Sequence, residues 1–147
     1  LSRLFELGDE SFAKPIARII VSQRKISPIT TCKQLSDIIT RIKRKASSGM
    51  HPATQVFMTL RMAVNLEREN IISLLSTVTE ILKKDGVLGV ITFHSTEDRL
   101  VKSELEKLES MNIVSVINKK PIEPSIEELK ISQRTRSAKL RLVKKNN

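Results

Sequence analysis

Hydrophobic residues recur at helical spacing through the first half of the chain, and polar residues fill the positions between them. A capping box formed by Thr31 and Gln34 opens one of the predicted helices, and Pro52 begins the next at a position where a missing N–H does no harm. The apolar positions that define the three helical faces are Phe12, Ile16, Ile19 and Ile20; Leu35, Ile38, Ile39 and Ile42; and Val56, Phe57, Leu60 and Val64. The pattern breaks at residues 65–67 and then continues helically to residue 84.

The second half changes to strand-like patterns. Residues 87–93 form a continuous apolar run, which is typical of a strand buried on both faces of a parallel sheet. Gly89 within it predicts close approach of a neighbouring element. Residues 113–117 predict a second strand, and the alternation around Leu140 and Leu142 predicts a half-exposed third one. Helices followed by strand–helix–strand–strand indicate an α/β fold, and such a core needs further strands, which we expect upstream of Leu1.

Residues 46–49, Ala-Ser-Ser-Gly, have the composition of a linker or exposed loop. We therefore predict two parts, an all-helical part over residues 1–48 and an α/β part over residues 49–147.

The composition of the chain argues against several kinds of binding site. The 147 residues include 26 Lys and Arg against 16 Asp and Glu, a formal net charge of +10. With no Trp and no Tyr, recognition of bases by aromatic stacking has little support. The single cysteine excludes a disulfide framework and a Cys-based zinc finger. Because no charged-then-apolar leader with a cleavage site opens the sequence, we expect a cytoplasmic location. The four glycines form neither a G-x-G-x-x-G loop nor a P-loop.

The C-terminal segment is the most basic stretch of the chain. Residues 130–147 contain seven cations and no acid. A solvated surface is one interpretation, and contact with RNA phosphates is the one we favour, because Arg binds phosphate in a bidentate manner.

Four stretches resemble a known family. Residues 51–65, HPATQVFMTLRMAVN, are similar to H-P-A-T-R-x-F-Q-A-L-R-I-x-V-N, and residues 92–102, TFHSTEDRLVK, to S-F-H-S-L-E-D-R-I-V-K. Residues 132–141, SQRTRSAKLR, resemble N-P-R-A-R-S-A-K-L-R, and residues 28–35 resemble P-I-T-T-T-K-Q-L. These are signatures of the bacterial 16S ribosomal RNA cytosine-N(4) methyltransferases, the MraW or RsmH family.

This resemblance implies the C-terminal half of a class I (Rossmann-like) methyltransferase sheet with part of an inserted helical domain. The family's S-adenosylmethionine site has a G-G-H-S loop and a D-L-G-V-S-S strand end, which have no counterpart here, so the cofactor would be bound mainly by an N-terminal half. The implied partner is 16S ribosomal RNA of the small subunit, with no membrane. No catalytic residue or metal ligand is assigned. The candidates for the RNA and substrate cleft are His51, Arg61, His94, Ser95, Arg99, Arg134, Arg136 and Lys139.

Three questions stay open at this level. Gln55 stands where the family has Arg, which puts an RNA contact there in doubt. His94 and Ser95 either line a cleft at a strand's carboxyl end or act only structurally; Ser95 suits a helix cap better than a hydrolase nucleophile. The alternative function is a small basic RNA-binding or ribosome-associated module without catalysis.

Overall fold

The computed structural model describes residues 1–43 and 50–146 and divides into two compact units, Leu1–Leu66 and Glu67–Asn147. The first unit contains four helices: α1 (Ser2–Leu7), α2 (Ala13–Ile26), α3 (Cys32–Ile42) and α4 (Thr54–Val64). The second contains α5 (Glu67–Ile81), β1 (Val87–Thr92), α6 (Ser95–Ser110), β2 (Val114–Val116), α7 (Ile126–Ile131), a short 3-10 helix (Gln133–Ser137) and β3 (Lys139–Lys145). None of the described helices has the length and apolar character needed to span a bilayer.

The helical unit forms around the apolar faces that the sequence predicts. Phe5, Ile16, Ile39 and Val56 are fully buried in its core. The predicted capping box is confirmed: the Thr31 hydroxyl accepts the Gln34 N–H, and the Gln34 side chain accepts the Thr31 N–H. Two predicted core positions are wrong, because Phe12 precedes the first turn of α2 and Val64 ends α4, and both side chains are exposed.

The predicted linker at residues 46–49 lies outside the described residues. The predicted break at residues 65–67 is confirmed: Leu66 has a φ of 52° and separates the end of α4 from the start of α5. The boundary between the two compact units therefore falls after Leu66 in the chain. The predicted domain division at residue 48 rests on sequence composition and stays a prediction.

The strand order of the sheet is β1-β3-β2, and both pairings are antiparallel. The parallel neighbours predicted for residues 87–93 are therefore wrong. β1 and β2 do run parallel to each other, since both oppose β3, and α6 connects them. β3 lies between them, so no two described strands with the same direction are adjacent.

Only one face of this sheet is covered within the described residues. Leu75 of α5, Val101 and Leu105 of α6, and Val114 and Val143 of the sheet form a buried core on that side. Val87, Ile91 and Phe93 alternate onto the other side and are exposed. The expectation that β1 is buried on both faces is therefore not met in this chain.

The burial of β3 is opposite to the alternation that the sequence suggests. Arg141 and Val143 are buried, whereas Leu140 and Leu142 are only partly buried. The predicted close approach at Gly89 is confirmed, since a Cβ there would lie 3.1 Å from Cδ2 of Leu142 and 3.4 Å from Cδ1 of Leu140. Both atoms are ends of movable side chains, so Gly89 is crowded by its own sheet.

Candidate functional site

The turn from β1 into α6 is held by reciprocal hydrogen bonds. His94 is the N-cap of α6, and its Nδ1 accepts the Glu97 N–H at 3.2 Å. The Glu97 carboxylate in turn accepts the Phe93 N–H at 3.1 Å. The prediction that Ser95 caps this helix is wrong: Ser95 is its first residue, and its side chain is exposed at the carboxyl end of β1.

A second carboxylate lies beside this turn. Ligand-type atoms of Glu67, His94 and Glu97 all lie within 4.8 Å of one another. Because Nδ1 of His94 accepts an N–H, its proton is on Nε2 in the neutral ring. Nε2 could bind a metal only if its proton moved to Nδ1. Nδ1 could then no longer accept the hydrogen bond from the Glu97 N–H. The geometry therefore favours a protonated Nε2 over coordination of a cation.

The Nε2 atom of His94 is itself enclosed. It lies 3.1 Å from Oε1 of Glu97 without meeting hydrogen-bond geometry, and it is buried with no hydrogen-bond partner in the described structure. A bound base has no access to it in this conformation. The His94–Glu97 pair thus fixes the turn, while Ser95 and Arg99 are exposed on the first turns of α6.

A buried ion pair ties the same helix to β3. Asp98 accepts from Arg141 through both carboxylate oxygens, at 2.7 Å from Nε and 3.0 Å from the terminal nitrogen. Lys139 lies 3.7 Å from the same carboxylate. Burial by itself raises the pKa of Asp98, but the hydrogen bonds and charge of Arg141, with Lys139, outweigh it and lower that pKa below its usual value.

These contacts separate five of the seven cations of the basic C-terminal segment into two groups. Arg141 and Lys139 neutralise Asp98, and Lys144 pairs with Asp85 at 2.7 Å. Arg134 and Arg136 lie in the 3-10 helix, with exposed side chains and no acidic partner in the described part of the chain. The interpretation of the whole segment as phosphate-binding is therefore wrong for Arg141, whose guanidinium is buried.

The remaining candidates lie in the helical unit. His51 precedes α4, and its Nδ1 accepts the Ala53 N–H at 3.2 Å, which is a local helix-start role. Arg61 is exposed on α4. The Gln55 side chain donates to the Gly8 carbonyl, so the position at which the family has Arg is used here for packing between α1 and α4.

The structure brings together only part of the predicted set. His94, Ser95 and Arg99 share the start of α6, and Lys139 reaches Asp98 on the same helix. Sequence reasoning missed Glu67 and the pairing of Asp98 with Arg141. The available signal for the pair was that Asp98 lies in the family stretch 92–102 and Arg141 in the family stretch 132–141.

Comparison with known proteins decides the family. A sequence model of the MraW methylase family matches residues 1–146. The chain belongs to the MraW methylase family. Three of the relatives that the chain matches carry the name Ribosomal RNA small subunit methyltransferase H. The protein of Borreliella burgdorferi is 42% identical over 142 residues, covering 97% of this chain and 48% of the relative.

The other two relatives are similar in extent. The protein of Leptospira borgpetersenii is 41% identical over 143 residues, covering 96% of this chain and 45% of the relative. The protein of Sulfurihydrogenibium azorense is 39% identical over 150 residues, covering 98% of this chain and 51% of the relative. The chain therefore spans about half the length of the curated MraW-family relatives that it matches.

Proposed function

We propose that this chain supplies the C-terminal half of an S-adenosylmethionine-dependent enzyme that methylates the N(4) amine of a cytosine in 16S ribosomal RNA. The observation that carries the proposal is the turn at residues 93–98. There, a family stretch forms a hydrogen-bonded junction at the carboxyl end of β1 and leaves Ser95 exposed. Open α/β sheets bind their ligands at such strand ends.

The topology supports a Rossmann-like parent. β1, α6 and β2 make a strand–helix–strand unit whose two strands run parallel, as in sheets built by helical crossovers. The outer edge of β1 has no partner among the described strands. We assign further strands of the sheet to the half of the relatives that this chain does not match.

The glycines that the structure describes do not form a loop for the cofactor. Of the chain's glycines, Gly8 follows α1, Gly86 precedes β1 and Gly89 lies inside β1, so none of these three forms a glycine-rich loop at a strand's carboxyl end. S-adenosylmethionine supplies the methyl group when bound, and we assign its site to the unmatched half. The group that accepts the amine proton is assigned there too.

The contribution of this chain is to hold and orient the RNA. Methylating an exocyclic amine requires the cytosine to leave its stack, so the flanking backbone must be held. Arg134 and Arg136 are exposed cations without acidic partners among the described residues, and they suit phosphate contact. Ser95 and Arg99 form one wall of the cleft in this proposal.

The test uses a chimera in which this chain replaces the matched region of the Borreliella burgdorferi relative. Labelled methyl transfer to small subunits lacking the modification is measured against that relative. Replacing Arg134 and Arg136 by Ala should raise KM for the RNA with little change in kcat, because phosphate contacts act equally in the ground and transition states.

The matched control replaces Lys102 and Lys107, which are exposed and paired with Glu106 and Glu104 on α6. Equal effects of the two double substitutions would contradict the assignment of Arg134 and Arg136. RNA binding by the chimera without any methyl transfer would favour the non-catalytic basic module.

A further inference from the structure

The helical unit carries a large share of the positive charge of the chain. Residues 1–66 contain eleven Lys and Arg against four Asp and Glu, a net charge of +7. Residues 67–147 contain fifteen against twelve, a net charge of +3. The helical unit therefore carries a net positive charge as large as that of the C-terminal segment, residues 130–147, which has seven cations and no acid.

Within that unit, α2 is the described helix with the most cations, and it contains no acid. Its fourteen residues include four cations. Lys14, Arg18 and Lys25 are exposed, and their spacing of four and seven residues places them along one side of the helix. We call these three residues the α2 basic stripe. The side turned toward the core carries Ile16, Ala17 and Ile20.

No ion pair engages the α2 basic stripe among the described residues. The neighbouring helix α3 is different, because its exposed residues Lys33, Asp37 and Arg41 alternate in sign at intervals of four. Glu10, another acid of the unit, is buried and paired with Lys43 at 2.9 Å. The stripe is thus a row of cations only, beside a row of mixed sign on α3.

The dimensions of the stripe indicate an extended polyanion. From Lys14 to Lys25 the helix rises by about 16 Å, at about 1.5 Å per residue, which is too long for one phosphate and suits successive phosphates of a strand. A membrane surface fits less well, since a helix that lies on a bilayer inserts its apolar face. The apolar face of α2 is already buried in the core.

We infer that the α2 basic stripe is a phosphate-binding surface for RNA, separate from Arg134 and Arg136. The inference rests on the proposed function in taking RNA as the polyanion. Contacts of this kind position the RNA and carry no sequence information. They should therefore add salt-dependent affinity for any RNA duplex.

The experiment measures binding of this chain to a fluorescent RNA hairpin of arbitrary sequence over a salt series. Replacing Arg18 and Lys25 by Ala should make the slope of log affinity against log salt shallower by about 1.4 to 1.8, at about 0.7 to 0.9 per phosphate. Between about 50 and about 200 mM salt, the unmodified chain should then lose about tenfold more affinity than the variant.

The matched control replaces Lys33 and Arg41 by Ala, which removes the same charge from α3 of the same unit. It should change the slope by less than half as much, because Asp37 lies between these two cations. Equal changes in the two variants, or no change in the α2 variant, would overturn the inference. Loss of binding to phosphatidylserine vesicles with unchanged RNA binding would overturn it in favour of a membrane.

Circular dichroism spectra of both variants confirm folding before binding is compared. Failure of the chimera to transfer methyl groups would refute the proposed function without altering this binding result. Conversely, an active chimera whose α2 variant binds RNA normally would refute only the stripe.

Discussion

Replacing Arg141 by Met tests whether the Asp98–Arg141 pair holds α6 against the sheet. Both side chains are buried, and the two contacts are 2.7 and 3.0 Å long. Charges about 4 Å apart attract by about 4 kcal/mol at an effective dielectric constant of about 20. Burial costs part of that attraction, but removing one partner leaves a buried charge unpaired, which costs about 3–5 kcal/mol.

Lys139 lowers this cost. It lies 3.7 Å from the Asp98 carboxylate and remains in the variant. We therefore expect Arg141→Met to reduce the free energy of unfolding by about 3 kcal/mol, the low end of that range. Met preserves the packing of the aliphatic stem, so the loss reports the charge and its hydrogen bonds.

Urea unfolding followed by far-ultraviolet circular dichroism is the assay, because the chain has no Trp or Tyr for fluorescence. The matched control is Lys144→Met on the same strand. Its pair with Asp85 is equally short, at 2.7 Å, but the two side chains are 48% and 63% exposed. It should cost less than about 1 kcal/mol. Equal losses for Arg141→Met and Lys144→Met would refute the reasoning.

The same pair predicts a direction of pH dependence. The pKa of Asp98 is lowered in the folded protein, so its stabilising contribution is complete above the unfolded pKa of about 3.9. That contribution is lost as the pH falls through the folded pKa. The difference in unfolding free energy between the unmodified chain and Asp98→Asn should therefore shrink in acid, and a constant difference would contradict the assignment.

Three further predictions concern separate parts of the chain. Gly89→Ala should raise unfolding free energy by about 0.5–1 kcal/mol, because Ala loses less backbone entropy and the leucine ends beside it move aside; a lower urea midpoint would show that they do not. Thr31→Ala should cost about 1 kcal/mol by removing the capping box, and an effect no larger than that of Thr30→Ala would contradict this. The chain alone should transfer no labelled methyl group to unmodified small subunits, and measurable incorporation would disprove that its residues lack the cofactor site.

Local signals in the sequence predict much of this fold. The Thr31–Gln34 capping box and the break at Leu66 depend on residues within a few positions of each other. The direction of strand pairing does not, because the position of β3 between β1 and β2 depends on pairings such as Thr92 with Lys139 and Val116 with Val143, which lie far apart in the chain. An apolar run such as residues 87–93 is common to either arrangement.

The candidate site likewise depends on contacts between residues that lie far apart in the sequence. Periodicity places the alternating Leu140 and Leu142 toward the core, whereas Arg141 is the buried residue. Burying an unpaired Arg side chain carries a large desolvation cost. The pairing of Arg141 with Asp98, 43 residues away, offsets that cost. Glu67 was missed for a similar reason, since its approach to His94 and Glu97 depends on how α5 packs beside the β1–α6 turn.

The most direct test of the central claim is the nucleoside content of 16S ribosomal RNA treated with the chimera and S-adenosylmethionine. Digestion to nucleosides and mass spectrometry identify which base gains the methyl group and whether it is on the exocyclic amine. We predict N(4)-methylcytidine at a level comparable to that made by the Borreliella burgdorferi relative. A folded, RNA-binding chimera that leaves cytidine unmodified would contradict the claim.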